Sequence, residues 1–233
     1  VADLRNYNRT LNFEHKTSGK PNLYPVYLKL EGQECLVVGG GAVAERKIEG
    51  LRECGAAITV VSPELTPALM DAAIREDFRY NKREFLDRDL EGKRLAIAAT
   101  DNSGLNDRIA QLCQTQGIPV NVVDMPRLCT FFVPSVIRRG SLCISISTCG
   151  DSPMLARRIR EDLEKQFGSA FEEIVPLLGD MRRRILENLP DEAKRRQCWD
   201  EIVTPELIAL LKAGKAEIAR KQVETICTSL LSE

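Results

Sequence analysis

Short apolar runs alternate with amphipathic stretches through the first half of the chain. Residues 35–38 read as a buried strand that runs straight into Gly39-Gly40-Gly41. Residues 43–54 then place Val43, Ile48 and Leu51 among Glu45, Arg46, Lys47, Glu49 and Arg52, which is the period of a helix, and Gly55 ends it. The pattern repeats. A strand over 58–61 leads through Ser62-Pro63 to a helix over 65–76, and 78–83 reads as a third strand. A strand over 95–99 meets a helix N-cap in Thr100-Asp101-Asn102, and its helix runs to Gln116 before Gly117. Residues 120–123 form another apolar strand, and the alternating segment 24–30 is expected as a short edge strand of the same sheet. Strands and helices in this order predict an α/β fold with a Rossmann-like parallel sheet covered on both faces.

The pattern changes after Asp124. Residues 131–133, 136–138 and 142–147 read as strands separated by Pro134 and Gly140, with no helix between them. Asp151-Ser152-Pro153 opens a helix with cap residues and an early proline, and the rest is helical, with breaks expected near Gly168, Gly179, Pro190, Pro205 and Gly214. Residues 1–22 are polar, lack a sustained period and read as a loose tail. The expected organisation is a tail over 1–22, a dinucleotide-binding α/β domain over 23–125, a β segment over 126–150 and a helical domain over 151–233. The isolated β segment needs a partner face, so a homodimer is expected.

Composition narrows the function classes. The 33 basic and 34 acidic residues nearly cancel and aromatics are 5%, which argues against dedicated nucleic-acid binding. Basic clusters at Arg138-Arg139, Arg157-Arg158 with Arg160, Arg182–Arg184 and Lys194–Arg196 read either as solvated helix faces or as an attraction for a polyanionic ligand. No run approaches the roughly 18 apolar residues of a membrane span, and no signal segment opens the chain, so a cytoplasmic protein is expected. The eight cysteines form no C-x-x-C pair and read as reduced thiols rather than disulfides or a zinc site. The single histidine, His15, falls in the tail. Proton transfer in the folded part therefore falls to Asp, Glu, Cys, Lys, Tyr or water, and no His-based metal set is available.

The candidate chemistry sits at strand ends, where ligands of such folds lie. Gly39, Gly41 and Ala44 fit the G-x-G-x-x-A spacing: a tight turn, a close approach for a pyrophosphate, and close packing of helix on strand, with the positive helix end facing the phosphates. After the second strand stands Ser62, with Glu64 two residues on, where NAD binders usually place an acid. Ser62 can bond a ribose or adenine edge, or simply start a helix. Ala98 and Ala99 leave room for a cofactor, while Thr100 and Asp101 suit either the cofactor wall or a helix cap. Asp124 ends the fifth strand, the best-placed acid for proton transfer, and the same residue suits a turn before Pro126. The glycine loop alone also permits a nucleotide-sensing module with a helical output.

Five motifs in series carry a family resemblance: Gly-Gly-Gly-Ala-Val-Ala-Glu-Arg-Lys (39–47), Ala-Ala-Thr-Asp (98–101), Asn-Val-Val-Asp-Met-Pro (121–126), Phe-Val-Pro-Ser (132–135) and Ser-Pro-Met-Leu-Ala-Arg (152–157). Together, over about 24–165, they resemble the siroheme synthase family, and within it the precorrin-2 dehydrogenase module that in some members is also a sirohydrochlorin ferrochelatase. The resemblance implies NAD as cofactor, precorrin-2 as substrate, siroheme biosynthesis as the pathway, a homodimer, and Fe²⁺ as a further substrate where chelation occurs. Carried onto this chain, it implies that Gly39, Gly40, Gly41, Ala42 and Val43 hold the pyrophosphate. Ser62, Pro63 and Glu64 would approach the adenosine, with Thr100 and Asp101 beside the cofactor. Asp124 would be catalytic, and Asn121, Ser147, Thr148 and Arg157 would meet the substrate. Cys149 stands where the family commonly has glycine. The family's fused methyltransferase domain has no counterpart in 233 residues.

Overall fold

A computed structural model describes residues 23–232, so the reading of 1–22 as a loose tail, His15 included, lies outside the described residues. Five strands form one parallel sheet in the order β3-β2-β1-β4-β5: β1 (Glu34–Val38), β2 (Ala57–Val61), β3 (Arg79–Asn81), β4 (Leu95–Ala98) and β5 (Val120–Val122). The side-chain period of two decides what each face buries. Leu36 and Val38 of β1 point into one core with Ala96, Val120 and Val122, closed by Ile109, Ala110 and Cys113 of α3 (Ser103–Gln116). Cys35 and Val37 point into the other, closed by Ala44, Ile48 and Leu51 of α1 (Ala42–Arg52) and Leu69 of α2 (Pro67–Ile74). Each fully buried leucine, isoleucine or valine among them contributes about 1.5–3 kcal/mol. The strand order reverses between β1 and β4, so a crevice opens beyond their C-terminal ends.

Two antiparallel strands follow, β6 (Ser135–Arg139) and β7 (Leu142–Ile146), joined by Gly140-Ser141 with Gly140 at φ +55. Glycine at the first of two central residues suits a tight hairpin turn. Helix α4 (Pro153–Gln166) packs on this hairpin. Helices α5 (Ala170–Asn188), α6 (Glu192–Ile202), α7 (Pro205–Lys212) and α8 (Ala216–Ser232) share a third core built on Ile174, Met181, Ile185, Ile202, Leu207 and Val223.

Three expectations are corrected. Residues 24–30 do not form an edge strand. Both neighbours of β1 are already taken by β2 and β4, and the segment instead runs past the hairpin, the Tyr27 hydroxyl 3.2 Å from the Cys143 carbonyl and 3.2 Å from Ser145 Oγ. Residues 131–133 are not a strand either. They follow a segment that covers the free edge of β5: the Thr130 N–H donates to the Val120 carbonyl at 2.9 Å, Thr130 Oγ1 accepts from the Val120 N–H at 2.8 Å, and Asn121 Nδ2 donates to the Phe131 carbonyl at 3.1 Å. Gly179 breaks nothing. It lies inside α5, where the buried stripe of Ile174, Met181 and Ile185 outweighs glycine's cost of about 1 kcal/mol.

Candidate functional site

The C-terminal ends of β1, β2, β4 and β5 meet at one cleft of about 1300 Å³. Every residue expected at the cofactor lines it: Gly39, Gly40, Gly41, Ala42 and Val43, then Ser62, Pro63 and Glu64, then Thr100 and Asp101. Asp124 lines it too. The two first glycines are forced by backbone crowding. Gly39 adopts φ +120, and a β-carbon there would sit 2.2 Å from the Ala99 carbonyl oxygen. A β-carbon on Gly40 would sit 2.1 Å from the Glu64 carbonyl oxygen. Gly41 differs, because nothing lies within 4 Å of its β-carbon position, and the space it leaves belongs to the cleft.

Helix α1 opens directly onto this space. Thr66, Asn102, Ser152, Asp191 and Thr204 cap their helices with side-chain oxygens, whereas Gly41 offers α1 no such cap. The first-turn N–H groups of α1 therefore carry partial positive charge without a side-chain acceptor. An anion fits there by the chemistry of the donors alone.

Ser62 is buried and its hydroxyl donates to the Glu64 carbonyl at 2.6 Å, while Tyr80 Oη donates to the Ser62 carbonyl at 3.1 Å. These bonds hold the 62–66 loop against Gly40, and the Thr66 N–H donates to the Gly40 carbonyl at 2.9 Å. Opposite, Thr100 Oγ1 donates to Asn106 Oδ1 at 2.7 Å, and Asn106 Nδ2 donates back to the Thr100 carbonyl at 2.8 Å. Asn102, not Thr100 or Asp101, is the α3 cap, leaving Asp101 exposed at the rim.

Asp124 stands in the left-handed region at φ +58. Among non-glycine residues Asp and Asn adopt this conformation most readily, so turn geometry and an exposed carboxylate select the same residue. The Met125 N–H donates to the Val122 carbonyl at 3.3 Å to close the turn. Cys129 reinforces it, its thiol accepting from the Val122 N–H and donating to the Val122 carbonyl, both at 3.2 Å. Burial pushes the Cys129 thiol up, with that N–H and Lys47 acting the other way.

The remaining candidates do not line the cleft. Asn121 is buried and its amide holds the 129–131 segment. Ser147 Oγ accepts from the Cys149 N–H at 3.1 Å, and Thr148 Oγ1 accepts from the Ser152 N–H at 3.0 Å, which orders the loop before α4. That loop lies beside the β5 end, with a β-carbon on Gly150 3.3 Å from Phe132 and 4.0 Å from Pro126. Arg157 is exposed and pairs with Glu161 at 2.9 Å. Sequence reasoning missed Glu84, Phe85 and Arg108, which also line the cleft. Glu84 and Phe85 follow β3, a strand end like the others, and Arg108 lies one turn into α3 with Asp87 at 2.7 Å.

Comparison with known proteins agrees with this geometry. Residues 26–135 match an NAD(P)-binding family. Residues 139–166 match the family described as "Sirohaem biosynthesis protein central", and 173–226 match "Sirohaem synthase dimerisation region". Siroheme synthase of Thioalkalivibrio sulfidiphilus (strain HL-EbGR7) is 38% identical over 203 residues, covering 87% of this chain and 42% of that protein. Siroheme synthase of Methylococcus capsulatus (strain ATCC 33009 / NCIMB 11132 / Bath) is 39% identical over 197 residues, covering 84% and 42%. The chain thus spans less than half the length of these relatives. Among solved structures, the precorrin-2 dehydrogenase SirC superposes with a TM-score of 0.71 at 27% identity, covering 88% of this chain and 98% of that one. With three successive family matches and a shared fold over nearly its whole described length, the chain belongs to the siroheme synthase family.

Proposed function

We propose that the protein is an NAD-dependent dehydrogenase that oxidises precorrin-2 to sirohydrochlorin in siroheme biosynthesis. The observation that carries this reading is the shared cleft: an uncapped helix N-terminus over open space at Gly41, with the Asp124 carboxylate at the other strand end. The loop from Gly39 to Val43 holds the pyrophosphate through backbone N–H groups, the 62–64 turn receives the adenosine, and Thr100 and Asp101 form the facing wall. Bound NAD supplies the hydride acceptor. Asp124 takes the proton that leaves with the hydride, so the substrate loses two hydrogens and two electrons with no further reactant. Ser147, Thr148 and Arg157, on the neighbouring loop and helix, meet the rim of the tetrapyrrole, while Asn121 fixes the wall behind Asp124.

The cleft favours NAD over NADP. Glu64, Glu84 and Asp101 line it, and Arg108, the one arginine among the described lining residues, is held by Asp87. A 2′-phosphate set among carboxylates with no free guanidinium is repelled, so NADP⁺ should bind tenfold or more weaker, a penalty of about 1.4 kcal/mol or more. Anaerobic precorrin-2 with NAD⁺, followed by NADH formation and the macrocycle absorbance, tests the reaction, and a folded sample without turnover overturns it. Iron insertion draws on the same carboxylate. Sirohydrochlorin with Fe²⁺ and no NAD⁺ separates the two activities, a rate above the uncatalysed background adding the second to the first. We further propose a cytoplasmic homodimer, supported by the dimerisation-region match over 173–226; among the described residues no helix is long and apolar enough to cross a membrane. A monomer by light scattering at micromolar concentration overturns the dimer.

A further inference from the structure

Lys47 is a charged residue in an apolar stripe. Ala44, Ile48 and Leu51 are the buried positions of α1, and Lys47 follows the first by three and precedes the last by four, which places it on the same helix face. It is half-buried, and among the described residues no carboxylate comes within 4.0 Å of its ammonium. The groups that act on it come from three places. Burial lowers its pKa and Arg46 on its own helix acts in the same direction, while Asp124 at the end of β5 and the Cys129 thiol beyond it act oppositely.

A half-buried cation without an ion pair is costly to keep unless a counter-ion arrives. Lys47 does not line the cleft with the glycine loop, yet it lies within electrostatic reach of Asp124. Its charge therefore acts on the Asp124 carboxylate from outside the part of the cleft lined by the glycine loop.

We propose that Lys47 binds a carboxylate of the anionic substrate beside Asp124, and so selects a polycarboxylate ligand and sets its orientation at the base. This rests on the tetrapyrrole reading above. The other anion in the site, the cofactor pyrophosphate, is the alternative source of the same chemistry, and the test separates them.

The experiment measures binding without turnover, using uroporphyrin I, an octacarboxylate porphyrin, by quenching of its fluorescence, and NAD⁺ by calorimetry. Lys47→Met should weaken uroporphyrin I about 10- to 100-fold, as loss of a charged hydrogen bond does, while Lys47→Arg stays within about threefold of wild type. NAD⁺ affinity should be unchanged in both. In wild type, uroporphyrin I affinity should fall as pH rises through the Lys47 titration, because only the ammonium attracts the carboxylate, and this pH dependence should vanish in Lys47→Met. Equal uroporphyrin I binding by wild type and Lys47→Met overturns the proposal, as does a loss confined to NAD⁺. Should Lys47→Met fail to fold, Lys47→Gln and the wild-type pH series carry the same reading. A wild type that binds uroporphyrin I with the Lys47 dependence but does not oxidise precorrin-2 sinks the dehydrogenase reading and upholds the contact. Oxidation of precorrin-2 with an unchanged KM in Lys47→Met does the reverse.

Discussion

Replacing each glycine of the 39–41 loop by alanine, one at a time, should separate fold from cofactor binding within three consecutive residues. At Gly39 the new methyl would lie 2.2 Å from the Ala99 carbonyl oxygen, more than about 1 Å inside the ~3.5 Å optimum, on a backbone at φ +120. The Gly39 N–H donates to the Val61 carbonyl at 2.9 Å and the Ala99 N–H donates to the Val38 carbonyl at 2.8 Å, so neither side of the clash moves freely. Overpacking and left-handed strain together cost about 2–5 kcal/mol. At Gly40 the clash is with the Glu64 carbonyl oxygen at 2.1 Å and Ser62 Oγ at 2.9 Å, without positive φ, so the cost is about 1–3 kcal/mol. At Gly41 the backbone is extended at φ −86 and the space is open, so the cost is only that of alanine in place of glycine at an N-cap, about 1 kcal/mol. Its methyl would instead stand between the α1 N–H groups and a pyrophosphate. Losing one charge-assisted hydrogen bond there costs about 1.5–3 kcal/mol, a 10- to 150-fold rise in the NAD⁺ Kd. Thermal unfolding should show a Tm drop of about 5 °C or more for Gly39→Ala and of no more than about 2–4 °C for Gly41→Ala. A Gly41→Ala protein that binds NAD⁺ like wild type would refute the placement of the cofactor, and a Gly39→Ala protein of wild-type stability would refute the crowding argument.

Asp124→Asn should keep the turn, because asparagine also accepts the left-handed conformation, while kcat falls about 10²- to 10⁴-fold with NAD⁺ affinity retained; near-normal kcat would remove the residue's assigned role. Asp89 is buried, bonded to Arg83 at 2.6 and 2.8 Å and to the Leu86 N–H at 2.8 Å, and the Arg83 hydrogen bond holds its pKa below the ordinary value. Its stabilising effect is therefore full above the unfolded pKa of about 3.9 and lost as pH falls through the folded value. Urea titrations should show Asp89→Asn less stable than wild type at neutral pH, with the gap closing in acid; a gap independent of pH contradicts the linkage. Burial pushes the Cys35 and Cys113 thiols up to about 11, so at pH 8 a thiol reagent should leave both unmodified until the protein unfolds, while exposed Cys149 reacts in the native state. Peptide mass spectrometry reads this directly, and early labelling of Cys35 would contradict its burial.

The strand and helix pattern was legible wherever one physical rule ruled locally. Runs such as Leu36-Val37-Val38 can only be buried on both faces, and the cap residues Asn102 and Ser152 announce their helices. The errors came from tertiary context. Nothing in residues 24–30 says that both sides of β1 are already paired, and nothing around Gly179 says that a third core will hold the helix through it. The residues that line the cleft were legible through strand ends, because the crevice of a parallel sheet follows from its topology. Glu84, Phe85 and Arg108 were missed because β3 is short and Arg108 reads as an ordinary helix-surface charge. Lys47 was visible in the motif, but its lack of an ion pair among the described residues is a property of packing rather than of sequence.

The closure of β5 by Cys129 and Thr130 has a spatial consequence. Many doubly wound folds continue outward from this strand, and a further strand would stand about 4.8 Å beyond it. Here the outward N–H and C=O groups of Val120 and Val122 are met by the Thr130 hydroxyl and backbone N–H and by the Cys129 thiol, so among the described residues the sheet ends without a further strand. Asp124, just past that strand, stays exposed, and among the described residues no further strand narrows the approach to it. A narrow substrate would gain nothing from that width; a broad, flat macrocycle could not reach the carboxylate without it.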